Sequence, residues 1–380
     1  MMERPAFTVG VEEEYLVVDR ETRDLIKSPP PEMWKAINEV VGEAATHEFL
    51  KAQIEIRTGV CAKISEARAE VAQLRRDLSG IVTEYGGALI AASTHPFANW
   101  AHQETTEDDR YLRLADDFQQ VARQLVICGM HVHVGIEDPE LRIDLMNQVK
   151  YMLPHMLALS TSSPFWDGVP TGLMAYRLVI FQNMPRTGIP EEFDSWSEYE
   201  RYVAILVNAG LIEDATKLWW DIRPSSRFPT LEMRVSDVCT RLDDAMTIAA
   251  IYQSMLAFLY RLRRNNQRWR VYSPGIIEEN IWRAQRYGTD GSLVDFGKGE
   301  LVPIADLMEE FIEVLAQDAI ELDVREEIRH ARDIVQNGTS AHRQLAIYES
   351  SLAAGASETE ALKAVVDGLI VDSMYGIDVP

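Results

Sequence analysis

Hydrophobic and polar residues alternate along residues 7–19, and this segment also carries three consecutive glutamates. A period of two is typical of a β-strand, in which alternate side chains point to the same face. Glu12 and Glu14 are therefore predicted to share one face, while Glu13 lies on the other. Two like charges on one face of a partly buried strand are unfavourable unless a cation or several hydrogen-bond donors compensate them. The segment alone fits either a divalent-metal site or a solvated edge strand with an acidic outer face.

The same reasoning predicts mixed strands and helices up to about residue 240. Further strands are predicted at residues 47–58, 88–93, 127–136, 217–223 and 231–235. Helices are predicted at about 32–41, 65–85, 107–125, 139–160, 173–181 and 197–209. The Pro- and Gly-rich loops of residues 164–193 are a candidate lid, because long irregular segments are often functional. A long helix at 242–262 and further helices with Gly-rich turns complete the chain to about residue 367.

These elements predict an α+β fold, in which a mostly antiparallel sheet is flanked by helices and followed by a helical C-terminal portion. Neither a Pro/Ser-rich linker nor an internal repeat divides the 380 residues. We therefore expect a single domain over residues 1–380. Its strand-bearing core is expected at about residues 7–240 and its helical portion at about 241–370.

Composition narrows the class of protein. Hydrophobic residues make up 47% of the chain, enough for a large core, and the net charge is −23. Because no long run of Lys or Arg is present, nucleic acid and anionic membranes are not expected as partners. We expect no membrane span and no secretory signal. Cys61, Cys128 and Cys239 are few and far apart, which suits a cytoplasmic protein.

Other predicted strands also carry reactive side chains. His131 and His133 share one strand face, so both could serve one metal ion or neighbouring ligands. The alternative is a pair of hydrogen-bonded core histidines. Glu55 and Arg57 share the polar face of the second strand and carry the weakest signal when taken alone.

The segment around residue 230 combines one carboxylate with several guanidinium groups. Glu232 and Arg234 share a strand face, and Arg223 and Arg227 flank the turn before it. A single Glu–Arg pair is usually a structural salt bridge. A glutamate with three arginines at one turn is more typical of a site for a polyphosphate and its metal. The standard Gly-rich nucleotide motifs are not found in the sequence.

Six short motifs occur in a fixed order along the chain. They are VGVEEE (9–14), QIEIRT (53–58), THPF (94–97), GMHVHV (129–134), MPRTGIP (184–190) and RPS…PTLEMR (223–234). Together they closely resemble the bacterial ATP-dependent carboxylate–amine ligases, also called type 2 glutamate–cysteine ligases, over roughly residues 7–240. The Gly-Met-His-x-His and x-Glu-x-Arg elements also resemble glutamine synthetase. The resemblance therefore implies a glutamine-synthetase-like catalytic domain.

The resemblance also implies roles for individual residues. The implied ligands of Mg²⁺ or Mn²⁺ are Glu12, Glu14, Glu55, His131 and Glu232. The implied ATP-binding residues are His133, Arg223 and Arg234. The implied substrate-binding residues are Arg57, Arg177 and Arg227. The implied catalytic residues are Arg223, Arg227 and Arg234.

The activity implied by the resemblance is ATP-dependent amide formation between a carboxylate, such as the γ-carboxylate of glutamate, and an amine, such as cysteine. An acyl phosphate would be the intermediate, and ADP and phosphate would be released. Small molecules are then the expected partners, and a homodimer is left open. Two alternatives remain: a zinc hydrolase, since His-x-His also marks metal-dependent amidohydrolases, and a non-catalytic nucleotide-binding protein. The hydrolase alternative is weakened because the next histidine after His155 is His330, in a predicted helical region.

Overall fold

The computed structural model describes residues 3–377. The strands are β1 (Val9–Asp19), β2 (Ala45–His47), β3 (Gln53–Arg57), β4 (Gly87–Ile90), β5 (Met130–Gly135), β6 (Phe165–Trp166), β7 (Val169–Pro170), β8 (Thr187–Gly188), β9 (Trp219–Trp220), β10 (Ile222–Pro224), β11 (Thr230–Met233), β12 (Ser292–Asp295) and β13 (Glu300–Pro303). The helices are α1 (Pro31–Val40), α2 (Ile64–Glu84), α3 (Asp109–Arg123), α4 (Pro139–Val149), α5 (Leu153–Ser160), α6 (Arg177–Phe181), α7 (Trp196–Asn208), α8 (Leu242–Arg264), α9 (Pro274–Tyr287), α10 (Ile304–Val314), α11 (Ala316–Leu322), α12 (Arg325–Arg329), α13 (Ala331–Asn337), α14 (Ser340–Ala353) and α15 (Glu358–Ser373).

The main sheet is built around β1. Its strands follow the order β10-β11-β5-β1-β3-β2, and β4 also pairs with β1. All of these pairings are antiparallel. Residues of β1 pair with β5 near its start, with β3 in its middle and with β4 at its end. The predicted α+β fold with a mostly antiparallel sheet and flanking helices is confirmed.

One face of the sheet packs into the hydrophobic core. Val9, Val11 and Tyr15 of β1 are buried, whereas the intervening Glu12 and Glu14 are partly exposed. Helices α2 and α8 pack on β1 and on each other. Burial of the apolar face by these helices leaves the opposite, polar face of the sheet open for a ligand site.

Helix α8 is the most apolar long helix of the core. Within residues 3–377, it is the one helix with the length and mean hydropathy of a membrane span. By length and composition alone, α8 therefore departs from the expectation that the chain has no membrane span. However, 89% of its most apolar 18-residue window is buried inside the protein. That burial is typical of a core helix.

Three element boundaries differ from the sequence prediction. The predicted helix 139–160 is split into α4 and α5 by a 3₁₀ turn at Lys150–Met152, next to Pro154, which cannot donate a backbone hydrogen bond. Of the predicted strand 47–58, residues 53–57 form β3, residues 48–52 form the turn before it, and residue 47 ends the preceding strand β2, which pairs with β3. The helical C-terminal portion also contains the short hairpin β12–β13. The assignment of the chain to a single domain stays a prediction.

Candidate active site

The polar face of the sheet lines a cleft of about 370 Å³. The cleft contains every residue that the sequence predicted for the site. These residues are Glu12, Glu14, Glu55, Arg57, His131, His133, Arg177, Arg223, Arg227, Glu232 and Arg234. The structure therefore brings these residues together in one cleft, and their roles stay predictions.

The two faces of β1 separate the three consecutive glutamates. Glu12 and Glu14 line the cleft, and Glu13 is completely buried on the opposite side. There Glu13 forms a two-pronged ion pair with Arg75, at 2.8 and 2.9 Å. The guanidinium of Arg75 also donates to the carbonyls of Cys239 and Thr240. The prediction that Glu13 faces away from Glu12 and Glu14 is confirmed. The buried ion pair also holds β1 in its register.

Glu12, His131 and Glu232 form the first group. We call it the arginine-rich cluster because Arg223 and Arg234 pair with its Glu232. Strand pairing brings them together, because Glu12 lies opposite His131 in the β1–β5 pair and Glu232 lies on β11 beside β5. One ligand atom from each residue lies within 4.8 Å of the others. The carboxylate of Glu232 accepts hydrogen bonds from Arg223 at 2.9 and 3.1 Å, and it also accepts one from Arg234.

The cations around this cluster hold its carboxylates in the charged form. Burial alone would raise the pKa of Glu232, but Arg234 and Arg223 outweigh burial and lower it. Burial likewise opposes the charge of Glu12, but the hydrogen bond with His131 and the nearby imidazole of His133 keep the pKa of Glu12 well below its ordinary value. Both carboxylates are therefore anionic at neutral pH.

Glu14, Glu48 and Glu55 form the second group, which we call the carboxylate cluster. Glu14 faces Glu55 across the β1–β3 pair, and an oxygen from each of the three residues lies within 4.8 Å of the others. Burial and repulsion by Glu14 raise the pKa of Glu48 to about 7. Burial and repulsion by Glu48 also raise the pKa of Glu55 well above its ordinary value. The cluster thus carries more negative charge than its surroundings compensate.

Glu48 is a possible metal ligand that the sequence did not predict, and Arg110 and Tyr111 of α3 also line the cleft without having been predicted. On a continuous strand 47–58, Glu48 would share the apolar face with Ile54 and Ile56. The turn between β2 and β3 interrupts the alternation of side-chain directions, so Glu48 faces the cleft instead. A turn signal within residues 48–52 would have been needed to find it, and that stretch contains neither Gly nor Pro.

Both clusters fit a divalent cation such as Mg²⁺ or Mn²⁺. Hard cations prefer carboxylate oxygens, and an imidazole is a suitable additional ligand for Mn²⁺. The Nε2 atom of His133 is buried without a hydrogen-bond partner, and it lies 3.5 Å from Glu12 Oε1. The raised pKa values in the carboxylate cluster are the other indication, since a bound cation would remove the repulsion that causes them.

The remaining arginines occupy different positions around the cleft. Arg177 is buried and donates to the carbonyls of Arg234 and Val235, so its contacts brace the end of β11. Arg57 donates to the carbonyl of Glu43 at 3.0 Å. Arg227 lies on the exposed turn that connects β10 and β11. Arg223 makes four hydrogen bonds within the protein, to Glu232 and to two carbonyls.

The candidate lid contributes only part of the cleft wall. Residues 164–193 contain the β6–β7 hairpin, α6 and β8. Of this segment, Arg177, Phe181 and Met184 line the cleft. Helix α3 supplies Arg110, Tyr111 and Leu114 on another side. Closure of residues 164–193 over a ligand stays a prediction.

The fold and the cleft together define the class of protein. An antiparallel sheet that gathers carboxylate, imidazole and guanidinium groups on one open face is suited to binding a nucleotide, its metal and an acidic substrate. Such a site is expected of the ATP-dependent carboxylate–amine ligases, the family that the ordered sequence motifs resemble.

Comparison with known proteins identifies the family. The model of the glutamate–cysteine ligase family 2 matches residues 8–368. A Rhodospirillum rubrum protein with the provisional name glutamate–cysteine ligase 2 is 56% identical over 377 residues, covering 98% of this chain and 97% of that protein. A Solibacter usitatus protein with the same provisional name is 44% identical, covering 99% and 96%. The chain belongs to the glutamate–cysteine ligase family 2, and it is an ATP-dependent ligase of the glutamate–cysteine ligase type.

Solved structures support the fold. A glutamate–cysteine ligase from Francisella tularensis in complex with AMP superimposes with a TM-score of 0.66 and 13% identity, covering 99% of this chain and 91% of that chain. A bifunctional glutathione synthetase from Pasteurella multocida gives a TM-score of 0.68 and 13% identity, covering 97% and 53%. At this level of identity, the similarity concerns the fold alone.

Proposed function

We propose that this ligase joins the γ-carboxylate of glutamate to an amine such as cysteine, with ATP as the phosphoryl donor and an acyl phosphate as the intermediate. The observation that carries the proposal is the position of the two clusters side by side in one cleft. One cluster is surrounded by arginines, and the other consists of carboxylates alone. Such a pair suits a reaction in which two anions must approach each other.

The proposed reaction has two steps. A carboxylate oxygen of the acid attacks the γ-phosphorus of ATP, and the bond from this phosphorus to ADP breaks. The amine nitrogen then attacks the acyl carbon, the bond to phosphate breaks, and the departing phosphate or a protein base takes the proton of the amine. The first step is slow in water because the donor and the acceptor are both negatively charged.

The arginine-rich cluster would bind the phosphates of ATP. Arg234 is suited to this role because its Nε is buried without a hydrogen-bond partner. Arg223, which is held by Glu232, would mainly keep that carboxylate charged and in place. Arg227 lies on an exposed turn beside the cleft and would contact the transferring phosphoryl group or the acid.

The carboxylate cluster would hold a divalent cation on the side of the cleft where the acid binds. Glu14, Glu48 and Glu55 would be its ligands, and Glu12, His131 and Glu232 would hold a cation on the nucleotide side. A bound Mg²⁺ or Mn²⁺ supplies positive charge that reduces repulsion between phosphoryl and carboxylate oxygens. Arg57 would contribute a further positive charge near the acid.

The comparisons support the use of a nucleotide and this pair of substrates. The related Francisella tularensis enzyme binds AMP, and the relatives carry the name of glutamate–cysteine ligase. A zinc hydrolase is less well supported, because the carboxylate cluster offers only hard oxygen ligands. A non-catalytic nucleotide-binding protein would have no evident need for a second acidic cluster beside the first.

The test is release of ADP with glutamate and cysteine, and with a panel of other acids and amines, in the presence of Mn²⁺ or Mg²⁺. Hydroxylamine should also be tested, because this small nucleophile converts an acyl phosphate to a hydroxamate. We expect ADP and product in equal amounts, and loss of both in Glu14→Gln. Folded protein that releases no ADP with any pair, or that holds stoichiometric zinc without binding ATP, would contradict the proposal.

A further inference from the structure

A second cavity of about 990 Å³ adjoins the cleft. The residues that line both cavities are Thr46, His47, Arg57, Arg110 and Tyr111. The junction lies at the carboxylate cluster, since the hydroxyl of Thr46 donates to Glu55 at 3.3 Å. The cleft thus opens into the second cavity on the side away from the arginine-rich cluster.

We propose that this second cavity binds the amine substrate and that the preferred amine is an aromatic amino acid, which is larger than cysteine. The inference rests on the proposed function, because it assumes that an acyl phosphate forms beside the carboxylate cluster. An amine that entered from the second cavity would approach this acyl group from the side opposite the nucleotide.

The size of the cavity argues against cysteine as the preferred amine. Pockets of about 300–1,000 Å³ hold drug-sized ligands, and this cavity lies at the upper end of that range. A side chain of one carbon and one sulfur would leave most of it to water. A ring system would displace more of that water and bury more apolar surface against the walls.

The walls of the cavity are suited to a flat ring. Trp34 is buried on α1, and its ring stacks on that of His47 with centroids 3.5 Å apart and an interplanar angle of 34°. The hydroxyl of Tyr111 donates to the carbonyl of His47, which fixes a second ring at the junction. Pro29 and Pro31 add apolar surface. Aromatic rings pack favourably against such walls.

The charges at the junction would orient an amino acid. Arg57 and Arg110 border both cavities, and each presents a guanidinium that can pair with a carboxylate. Lys51 is less suited, because Glu104 and Glu107 each accept a hydrogen bond from it at 3.1 Å. A carboxylate held at the junction would leave the amino group facing the cleft and the side chain in the second cavity.

The first experiment compares amines at a fixed, saturating glutamate concentration with Mn²⁺ and ATP. We expect kcat/KM for phenylalanine or tryptophan to exceed that for cysteine at least tenfold. The kcat/KM for phenethylamine, which lacks the carboxylate, should be at least tenfold lower than that for phenylalanine. A kcat/KM for cysteine that equals or exceeds that for the aromatic amino acids would overturn the proposal. A kcat/KM for phenethylamine equal to that for phenylalanine would overturn the role of the arginines.

Hydroxylamine separates this inference from the proposed function. It needs no second cavity, so hydroxamate formation reports on the acyl phosphate alone. If hydroxamate forms and aromatic amino acids show no preference, the inference is wrong and the proposed function stands. If neither hydroxamate nor ADP forms, the proposed function itself fails.

A matched pair of variants tests the location. Asn38 lies on the exposed side of α1 and lines the second cavity, and its neighbour Glu39 is exposed but does not line it. Asn38→Trp should fill the cavity and lower the ratio of kcat/KM for phenylalanine to that for hydroxylamine at least tenfold. Glu39→Trp, which adds the same side chain to the same helix, should leave this ratio unchanged. A ratio that is unchanged in both variants would overturn the location.

Discussion

The two glutamate clusters lie in one cleft, but the protein compensates their charges very differently. In the arginine-rich cluster, Glu232 is paired with Arg223 and Arg234, and its pKa is lowered. In the carboxylate cluster, the pKa values of Glu48 and Glu55 are raised. Within residues 3–377, none of the carboxylates of that second cluster accepts a hydrogen bond from Lys, Arg or His.

The difference indicates where the ligase depends most on a bound cation. The arginine-rich cluster has its positive charge built into the fold, so it keeps its charge state without a ligand. The carboxylate cluster has to obtain positive charge from outside the chain. We therefore expect metal removal to affect the carboxylate cluster most, and side-chain removal to destabilise the arginine-rich cluster most.

The largest expected effect is on activity. Glu12→Gln and Glu14→Gln each remove a carboxylate from one of the clusters. We expect each change to lower the rate of ADP release by about 100-fold or more, because loss of a metal-binding charge removes several kcal/mol of transition-state stabilisation. Steady-state assays at saturating ATP and Mn²⁺ would measure it.

Glu13→Gln is the control for this prediction, because it makes the same change on the other face of β1. It should lower the stability of the fold through the loss of the Arg75 ion pair, while activity per folded molecule stays within severalfold of wild type. Similar activity losses at all three positions would contradict the division of the two faces.

The next effect is on stability. Glu232→Gln leaves Arg223 and Arg234 largely buried beside a neutral side chain. Removing one partner of a buried ion pair typically costs about 3–5 kcal/mol, and we expect a value near the lower end because Gln can still accept a hydrogen bond. Urea unfolding of the metal-free protein measures the change. If Glu232→Gln lowers the free energy of unfolding no more than Glu55→Gln does, the proposed difference in charge compensation between the two clusters is wrong.

A smaller effect concerns metal binding. Mn²⁺ at 100 times its dissociation constant should stabilise the wild-type protein by about 2.7 kcal/mol. In Glu48→Gln, a tenfold weaker affinity would reduce that gain by about 1.3 kcal/mol. Thermal unfolding across a Mn²⁺ titration measures both values, with Glu39→Gln as the exposed control. Equal Mn²⁺ dependence in Glu48→Gln and wild type would exclude Glu48 as a ligand.

The smallest effect is a pH dependence of the metal-free protein. The pKa of Glu48 is about 7 in the folded chain, above its ordinary value, so folding favours the protonated form. Stability is therefore fully present at low pH and falls as the pH rises through about 7. At pH 8, Glu55→Gln should relieve part of the repulsion and raise the free energy of unfolding by about 1 kcal/mol.

At pH 5 this gain should disappear, because the raised pKa values of Glu48 and Glu55 leave these two carboxyl groups largely protonated in the wild-type protein. Urea unfolding at the two pH values, without divalent metal, gives the comparison. A gain that is equal at pH 5 and pH 8 would show that repulsion within the carboxylate cluster is not its cause.

Much of the site could be predicted from short-range patterns. The alternation along β1 separated Glu12 and Glu14 from Glu13, because the period of a strand depends only on backbone geometry. The same reasoning placed His131 with His133, and Glu232 with Arg234, on the faces that line the cleft. The ordered motifs then indicated the family, which the comparisons confirm.

Other features depend on contacts between distant parts of the chain. Glu48 faces the cleft only because a turn without Gly or Pro interrupts the alternation of side-chain directions between β2 and β3. Arg75 lies 62 residues after Glu13 in the sequence, and no local pattern predicts that they form a buried pair. The second cavity combines α1, β2 and the start of α3, so its volume and its aromatic wall emerge only when these elements pack.

The sequence by itself thus determined the fold class, most of the charged residues that face the cleft, and the family. Only the tertiary structure decided how the charges are grouped into two clusters, which of them the protein compensates, and what lies beside them. The physical reason is that side-chain direction is set by local backbone geometry. Charge compensation, by contrast, depends on which distant groups come within a few ångströms.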